Sequence, residues 1–333
     1  MKPIRIAING FGRIGRGFCR LVLQEPNIEL VAINDLADAD TLAHLLKYDS
    51  IHGVLGQDVA TDNDAILVGS HRIRMFQNKD PELLPWRDLD IDIVIESTGI
   101  FRTREGVSAH LRAGAKQVII TAPSSTDDVP TVVLGVNDSI LEEDDLSVIS
   151  NASCTTNCAA PMVKVIEELC GIQQAYITTV HSYTGDQKLH DAPHKDLRRA
   201  RAGAMSIVPT TTGAAKAVTK IFPHLEGHIG GCGIRVPVPD GSLTDITFVV
   251  DKDVTIEEVN AAFEKASKNE LKGILSYIND PIVSVDVIGN PYSCVFDSLL
   301  TSVLGKMVKV VAWYDNEMGY ANRLKDLVLR LKH

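Results

Sequence analysis

The chain has 333 residues, 45% of them hydrophobic and 23% charged, which gives room for two domains with stable cores and excludes a small stapled scaffold. A net charge of −10 opposes non-specific binding to a nucleic-acid backbone, and no apolar run is long enough to span a bilayer. Any anionic ligand must therefore be held by local arginines and backbone amides.

Ile4 to Gly10, IRIAING, is short with alternating apolar residues, as a buried strand should be. Arg5 and Asn9 break the apolar run and no small-residue cleavage site follows, so this is not a secretory signal, and the chain is read as cytoplasmic. Ile14, Phe18, Leu21 and Val22 then recur at helical spacing. Between strand and helix lies Gly10-Phe11-Gly12-Arg13-Ile14-Gly15, a G-x-G-x-x-G whose glycines permit a tight turn, close approach of a pyrophosphate and close helix packing. The free N–H groups of the helix amino terminus would face that pyrophosphate.

Alone, the glycine string reads equally as a flexible turn. A second strand, Ile28 to Asp35, ends in Asp35, twenty residues beyond Gly15, where a carboxylate can accept from ribose hydroxyls and repel a 2′-phosphate, favouring NAD over NADP. Asp35 could instead cap the helix that follows; strand, glycines, helix, strand and acid in register favour the dinucleotide. Ile91 to Gly99 and Lys116 to Ser124 look like parallel-sheet strands buried on both faces, and their ends make Thr98 and Thr121 candidate cofactor contacts beside the simpler reading as turn formers.

SNASCTTNC, Ser150 to Cys158, admits a metal clip, a disulfide, a turn or a nucleophile. No second pair of Cys or His stands at zinc-site spacing, so no metal is expected, and a bridge between helical residues four apart would be strained. Six cysteines in this length are too sparse for a disulfide framework, and most are expected to be buried thiols. Met162, Ile166 and Leu169 with Gly171 as a stop mark an amphipathic helix that opens at SCTT. Cys154 then lies in the first turn, where the helix dipole favours thiolate, whereas Cys158, one turn deeper, is assigned to packing. A strand-like run from near Tyr176 ends at His181, a candidate base, although ten histidines make one such pairing weak evidence. A thiol beside a nicotinamide points to aldehyde oxidation, with hemithioacetal, hydride transfer and thioester in turn.

These residues, with INGFGRIGR at Ile8, LLKYDSIHG at Leu45, TTVHSYTGDQ at Thr178, DLRRARA at Asp196, PTTTGAAKAV at Pro209, RVPVPDGS at Arg235 and WYDNEMGYANR at Trp313, resemble phosphorylating glyceraldehyde-3-phosphate dehydrogenases over essentially the whole chain. The resemblance implies a Rossmann-type α/β dinucleotide-binding domain over 1–152 and 317–333, with the C-terminal helix packing back, and an α+β catalytic domain with a mostly antiparallel sheet over 153–316. It makes Cys154 the nucleophile and His181 the acid/base that lowers the thiol pKa. Thr184 and Arg235 would hold the substrate phosphate; Ser153, Thr155, Arg199, Thr212 and Gly213 would hold attacking inorganic phosphate. Arg13, Ile14, Asp35, Lys79, Thr121 and Asn316 would contact NAD, Asn316 at the nicotinamide carboxamide, and Lys79 stands where many relatives have arginine. The resemblance also implies glyceraldehyde 3-phosphate as substrate and a homotetramer with Ser182 to Met205 at an interface; no nucleic-acid partner is expected from the net charge.

Ala192 departs from the leucine common in strictly NAD-dependent relatives, so NADP use stays open, and Met318 replaces a frequent Trp or Thr with an expected effect on packing only. The rival readings are erythrose-4-phosphate dehydrogenase, an NADP-preferring isoform, and a binding protein that keeps the fold without the chemistry.

Overall fold

In the computed structural model, which describes residues 2–143 and 146–331, the chain forms two compact units, each with its own sheet. The first comprises 1–132, 138–152 and 321–333, the second 133–137 and 153–320.

The first unit contains β1 Ile4–Asn9, α1 Arg13–Val22, β2 Ile28–Asn34, α2 Ala39–Lys47, β3 Val59–Asp62, β4 Ala65–Val68, β5 His71–Phe76, β6 Ile93–Glu96, α3 Arg104–Arg112, β7 Gln117–Ile120 and β8 Val148–Ser150. Its sheet runs β8-β7-β6-β1-β2-β5-β4-β3, parallel from β8 to β5 and antiparallel over the last two pairings. β1 lies between β6 and β2, so the strand order reverses direction at its carboxyl end, where doubly wound sheets bind ligands. Helices cover both faces of such a sheet, which is why β6 is buried at every residue and reads as a continuous apolar run. β6 and β7 are shorter than the apolar runs containing them, because Ser97 to Gly99 and Thr121 to Ser124 leave the ladder as loops.

The second unit contains α4 Cys154–Cys170, β9 Ile172–Ser182, β10 Val208–Thr210, α5 Ala214–Ile221, β11 Ile229–Val236, β12 Ser242–Val250, α6 Ile256–Lys268, β13 Leu275–Ile278, β14 Cys294–Asp297, β15 Ser302–Leu304 and β16 Met307–Tyr314. The sheet order is β10-β11-β9-β12-β16-β14-β13, with β15 on β16, and five of the seven ladders are antiparallel. β12 alternates buried and half-buried residues, the period-2 pattern of a sheet with one face in the core. That core takes Cys158, Met162 and Ile166 from α4, with Ile246, Phe248 and Phe296 from the strands. Cys158 is thus a packing residue, in the same buried cluster as Cys294.

α7 Met318–Arg330 closes the chain; from Ala321 onward it belongs to the first unit, with Leu324, Leu327 and Val328 fully buried and Arg330 paired to Asp138 at 2.6 Å. All six cysteines are free thiols, four of them buried. Among the described residues no helix is long and apolar enough to cross a membrane.

Candidate active site

In the first unit the glycines do distinct work at the β1–α1 turn. Gly10 has φ +93°, and a Cβ there would stand 2.6 Å from the Thr98 backbone nitrogen. A Cβ on Gly15 would stand 2.4 Å from the Gly10 carbonyl oxygen, so the helix packs this close to the turn only with glycine. Gly12 differs: nothing lies within 4 Å of where its Cβ would be, and as N-cap of α1 it offers no side-chain cap. No side chain of the N-cap residue therefore stands between the first turn of α1 and a ligand.

Gly10, Gly12, Asn34, Asp35, Lys79 and Thr98 line a pocket of about 520 Å³. The Asp35 carboxylate accepts from the backbone N–H of Phe11 at 2.7 Å and of Ala37 at 3.0 Å, one on each oxygen, which holds it at the pocket wall and leaves a lone pair on each. An open cradle at Gly12 with a fixed carboxylate beside it fits the pyrophosphate and ribose of a dinucleotide. Arg13, Ile14, Gly15 and Thr121 do not line this pocket: Arg13 pairs with Asp49 at 3.1 Å, and the Thr121 hydroxyl donates to the Glu96 carbonyl at 3.0 Å.

Sequence reasoning missed the polar network under this pocket. Asn34 Nδ2 donates to Asn9 Oδ1 at 2.7 Å and to the Asn78 carbonyl at 2.9 Å, while its Oδ1 accepts from the Asn78 N–H, so it tethers the loop carrying Lys79. Asn9 Nδ2 donates to Glu96 at 2.6 Å; Glu96 also accepts from the Thr98 N–H and hydroxyl and lies 3.2 Å from His110 Nε2. The Trp86 indole N–H donates to His110 Nδ1 at 3.0 Å, which places the His110 proton on Nε2, facing the carboxylate. A signal was present: β1 and β2 both end in the triplet Ala-Ile-Asn, a buried amide at the end of an apolar run.

In the second unit, Ser153 caps α4 by accepting from the Thr156 N–H at 3.1 Å, which fixes the first turn and sets Cys154 at its first position. Just before it, Ala152 takes φ +54°, a left-handed conformation that costs a non-glycine residue on the order of 1 kcal/mol. Cys154 Sγ lies 3.5 Å from His181 Nε2. His181 and Arg235 are ladder partners on the parallel strands β9 and β11, so their side chains share a face. Arg235 Nη1 stands 2.6 Å from His181 Nδ1 and donates to the Ser182 carbonyl at 2.9 Å; Nδ1 is itself 2.8 Å from that carbonyl. A guanidinium only donates, so its contact with Nδ1 requires an unprotonated Nδ1 and puts the imidazole proton on Nε2, toward sulfur. Tyr314, edge-on to His181, bridges the hydroxyls of Thr155 and Thr179 at 2.9 and 3.1 Å.

The electrostatics correct the sequence expectation of a depressed thiol pKa. Burial pushes the Cys154 thiol up to about 11, with Arg235 pulling it down, and burial together with Arg235 pushes His181 down to about 3. Burial thus opposes the first-turn dipole at Cys154 and, with Arg235, opposes imidazolium at His181. Arg235 favours thiolate and disfavours imidazolium, so an anion on Arg235 moves both groups the other way.

Of the remaining predicted phosphate ligands, Thr155 lies in the first turn of α4, and Thr184, Arg199, Thr212 and Gly213 lie outside the helices and strands. Arg199 donates to Thr210 Oγ1 at 2.7 Å and to the Thr211 carbonyl at 3.3 Å, and pairs with Asp186 and Asp196, a saturation no spacing rule foretold. Thr212 accepts from the Ala214 N–H at 3.2 Å, Gly213 is the uncapped N-cap of α5, Thr155 is committed to Tyr314, and Thr184 is half-buried. Asn316 is buried, with its Oδ1 accepting from two serines.

Comparison with known proteins matches residues 4–104 to the profile "Glyceraldehyde 3-phosphate dehydrogenase, NAD binding domain" and 153–316 to "Glyceraldehyde 3-phosphate dehydrogenase, C-terminal domain". Glyceraldehyde-3-phosphate dehydrogenase 2 of Streptomyces avermitilis is 54% identical over 98% of each chain, and glyceraldehyde-3-phosphate dehydrogenase of Geobacillus stearothermophilus is 54% identical over 97% of each. The Mycobacterium avium protein of that name is 52% identical over 98% of this chain and 97% of its own.

Proposed function

The chain belongs to the glyceraldehyde 3-phosphate dehydrogenase family, and from that premise we propose that it oxidises D-glyceraldehyde 3-phosphate with NAD and inorganic phosphate to 1,3-bisphosphoglycerate, the glycolytic reaction, through a thioester on Cys154. The observation that carries this reading is Cys154 Sγ at the head of α4, 3.5 Å from His181 Nε2 and beside Arg235.

Arg235, with Thr184, takes the substrate phosphate, matching a planar fork to phosphate oxygens. Drawn to that anion, the guanidinium releases Nδ1, which then donates to the Ser182 carbonyl 2.8 Å away and leaves Nε2 free to accept. His181 takes the thiol proton as sulfur bonds to the aldehyde carbon, and returns it to the carbonyl oxygen to give a hemithioacetal. NAD, when bound, supplies the acceptor for the hydride on that carbon. His181 removes the hydroxyl proton as the hydride leaves, and a thioester remains. Phosphate, held by Arg199 with Ser153, Thr155, Thr212 and Gly213, attacks the acyl carbon; the C–S bond breaks and the sulfur leaves as thiolate toward Nε2–H. Arg199 must exchange its contact with Asp186 for phosphate to do this.

Gly10, Gly12, Asp35 and Lys79 line the cofactor's pocket; Arg13, Ile14 and Gly15 at the start of α1 and Thr121 after β7 complete its binding set from outside that lining, and Asn316 holds the nicotinamide carboxamide. On this reading 1–152 with 317–333 is the NAD-binding domain and 153–316 the catalytic one. The chain works as a cytoplasmic homotetramer, Ser182 to Met205 lying at an interface. The exposure of Leu189, Leu197, Met205 and Ile207 supports that assignment. Omitting phosphate tests the scheme: NADH formation should stop after one equivalent per chain and resume when phosphate is added, and Cys154→Ser should give none. Steady turnover without phosphate would mean that the thioester is hydrolysed or never formed.

A further inference from the structure

We propose that Ser182 and Ser242 are positioning residues that fix which end of the Asn316 amide meets the cofactor, making the site select a hydrogen-bond acceptor; this rests on the reading that Asn316 holds the carboxamide.

The topology brings the three residues together. Ser182 ends β9, Ser242 opens β12 on the neighbouring ladder, and Ser242 is the ladder partner of Tyr314, two residues before Asn316. The Asp315 carboxylate clamps the backbone around Asn316, accepting from the N–H groups of Gly289, Glu317 and Met318 at 2.7, 2.8 and 2.7 Å. Both serines are fully buried, and both hydroxyls donate to Asn316 Oδ1, Ser182 at 2.8 Å and Ser242 at 2.6 Å.

Proton counting fixes the direction. Ser242 Oγ already accepts the Ser182 backbone N–H at 3.1 Å, so its own proton must go outward, and the alternative acceptor, the Ser182 hydroxyl, is 3.5 Å away. With the amide reversed, Nδ2 would donate to both hydroxyls, and the two buried hydroxyl protons would have only that long contact between them. Oδ1 is therefore the inner end. Asn316 is 6% exposed, and among the described residues nothing accepts from its Nδ2. A donor without a protein acceptor is the end that a ligand carbonyl can complete.

The test uses the full-length protein and direct binding by calorimetry of NAD and two analogues. The 3-acetylpyridine analogue keeps the carbonyl oxygen and lacks the amide NH2; the thionicotinamide analogue keeps the NH2 and replaces the oxygen with sulfur, a weak acceptor. Expected in the unaltered chain is a loss of about tenfold for the thioamide relative to the acetylpyridine analogue, the order of one hydrogen bond. Ser182→Ala/Ser242→Ala should reduce that ratio to within about twofold, because the freed amide can present either end, and Ser182→Ala/Ser242→Thr, which restores one hydroxyl, should recover most of it. Ser182→Ala alone removes one donor and serves if the double variant does not fold. A merely structural role would weaken all three ligands alike and leave the ratio intact, and that result overturns the proposal. Asn316→Ala separates the two levels: if it too leaves the ratio intact, Asn316 does not touch the carboxamide and the underlying reading fails.

Discussion

Replacing Arg235 with glutamine keeps a polar side chain of similar reach and removes a charge that acts on three partners. It deletes the donor to the Ser182 carbonyl at 2.9 Å, the contact with His181 Nδ1 at 2.6 Å, and the Coulombic pull on the Cys154 thiol. Without that pull the thiol rises above about 11, and each further unit lowers the thiolate fraction tenfold at any lower pH. Alkylation of Cys154 by uncharged iodoacetamide at about pH 8 should slow by roughly tenfold or more. His181 moves upward from about 3, since Arg235 is the second cause of its depression after burial. Loss of the charge-assisted bonds to the substrate phosphate should cost about 3 kcal/mol, or roughly a hundredfold in kcat/KM. The two assays are independent, since alkylation involves neither substrate nor cofactor. Unchanged alkylation would show that Arg235 does not tune the sulfur, and unchanged kcat/KM that it does not hold the phosphate.

Asp240 is fully buried, and burial with the neighbouring Asp315 and Glu317 pushes its carboxyl from 3.8 up to about 8. The folded chain thus keeps a proton that the unfolded chain releases, so this contribution is complete below pH 3.8 and declines as pH rises through about 8. Asp240→Asn, which mimics the protonated acid, should melt higher than the unaltered chain near pH 8, the shift corresponding to on the order of 5 kcal/mol there, and at a similar temperature in acid; calorimetric scans across pH check this. Gly15→Ala places a methyl 2.4 Å from the Gly10 carbonyl, so NAD affinity measured by titration should fall by roughly tenfold or more as the turn shifts. Ser153→Ala removes the cap of α4 and should lower denaturant stability by about 1 kcal/mol.

What the sequence disclosed follows from the range of the interactions involved. The β1–α1 glycines, Asp35 and the helix opening at Cys154 are legible because each depends on neighbours within one turn or one strand. His181 was placed at its strand end, yet β9 begins at Ile172, before the apolar run becomes distinct, because Gln173 and Gln174 lie exposed within it. Ladder neighbours were out of reach: Arg235 sits beside His181 through a parallel pairing 54 residues apart, and no periodicity specifies that register. For the same reason the serine pair under Asn316 and the Asn9-Glu96-His110 network remained hidden: in β12 the buried positions include Ser242 and Thr244 while Leu243 is half-buried, so apolar alternation does not reveal that face. The upward push of burial on the thiol was not legible either, because a dipole argument reads position along a helix, whereas desolvation depends on what the rest of the fold stacks against that sulfur.

The most direct test of Cys154 as the covalent centre is intact-protein mass spectrometry of the chain mixed with glyceraldehyde 3-phosphate and NAD in phosphate-free buffer. The account predicts a single acyl adduct that maps to the peptide containing Cys154, is absent in Cys154→Ser, and disappears on addition of phosphate as the acyl phosphate forms. An adduct on another residue, or NADH produced at full rate with the chain unmodified throughout, would contradict it.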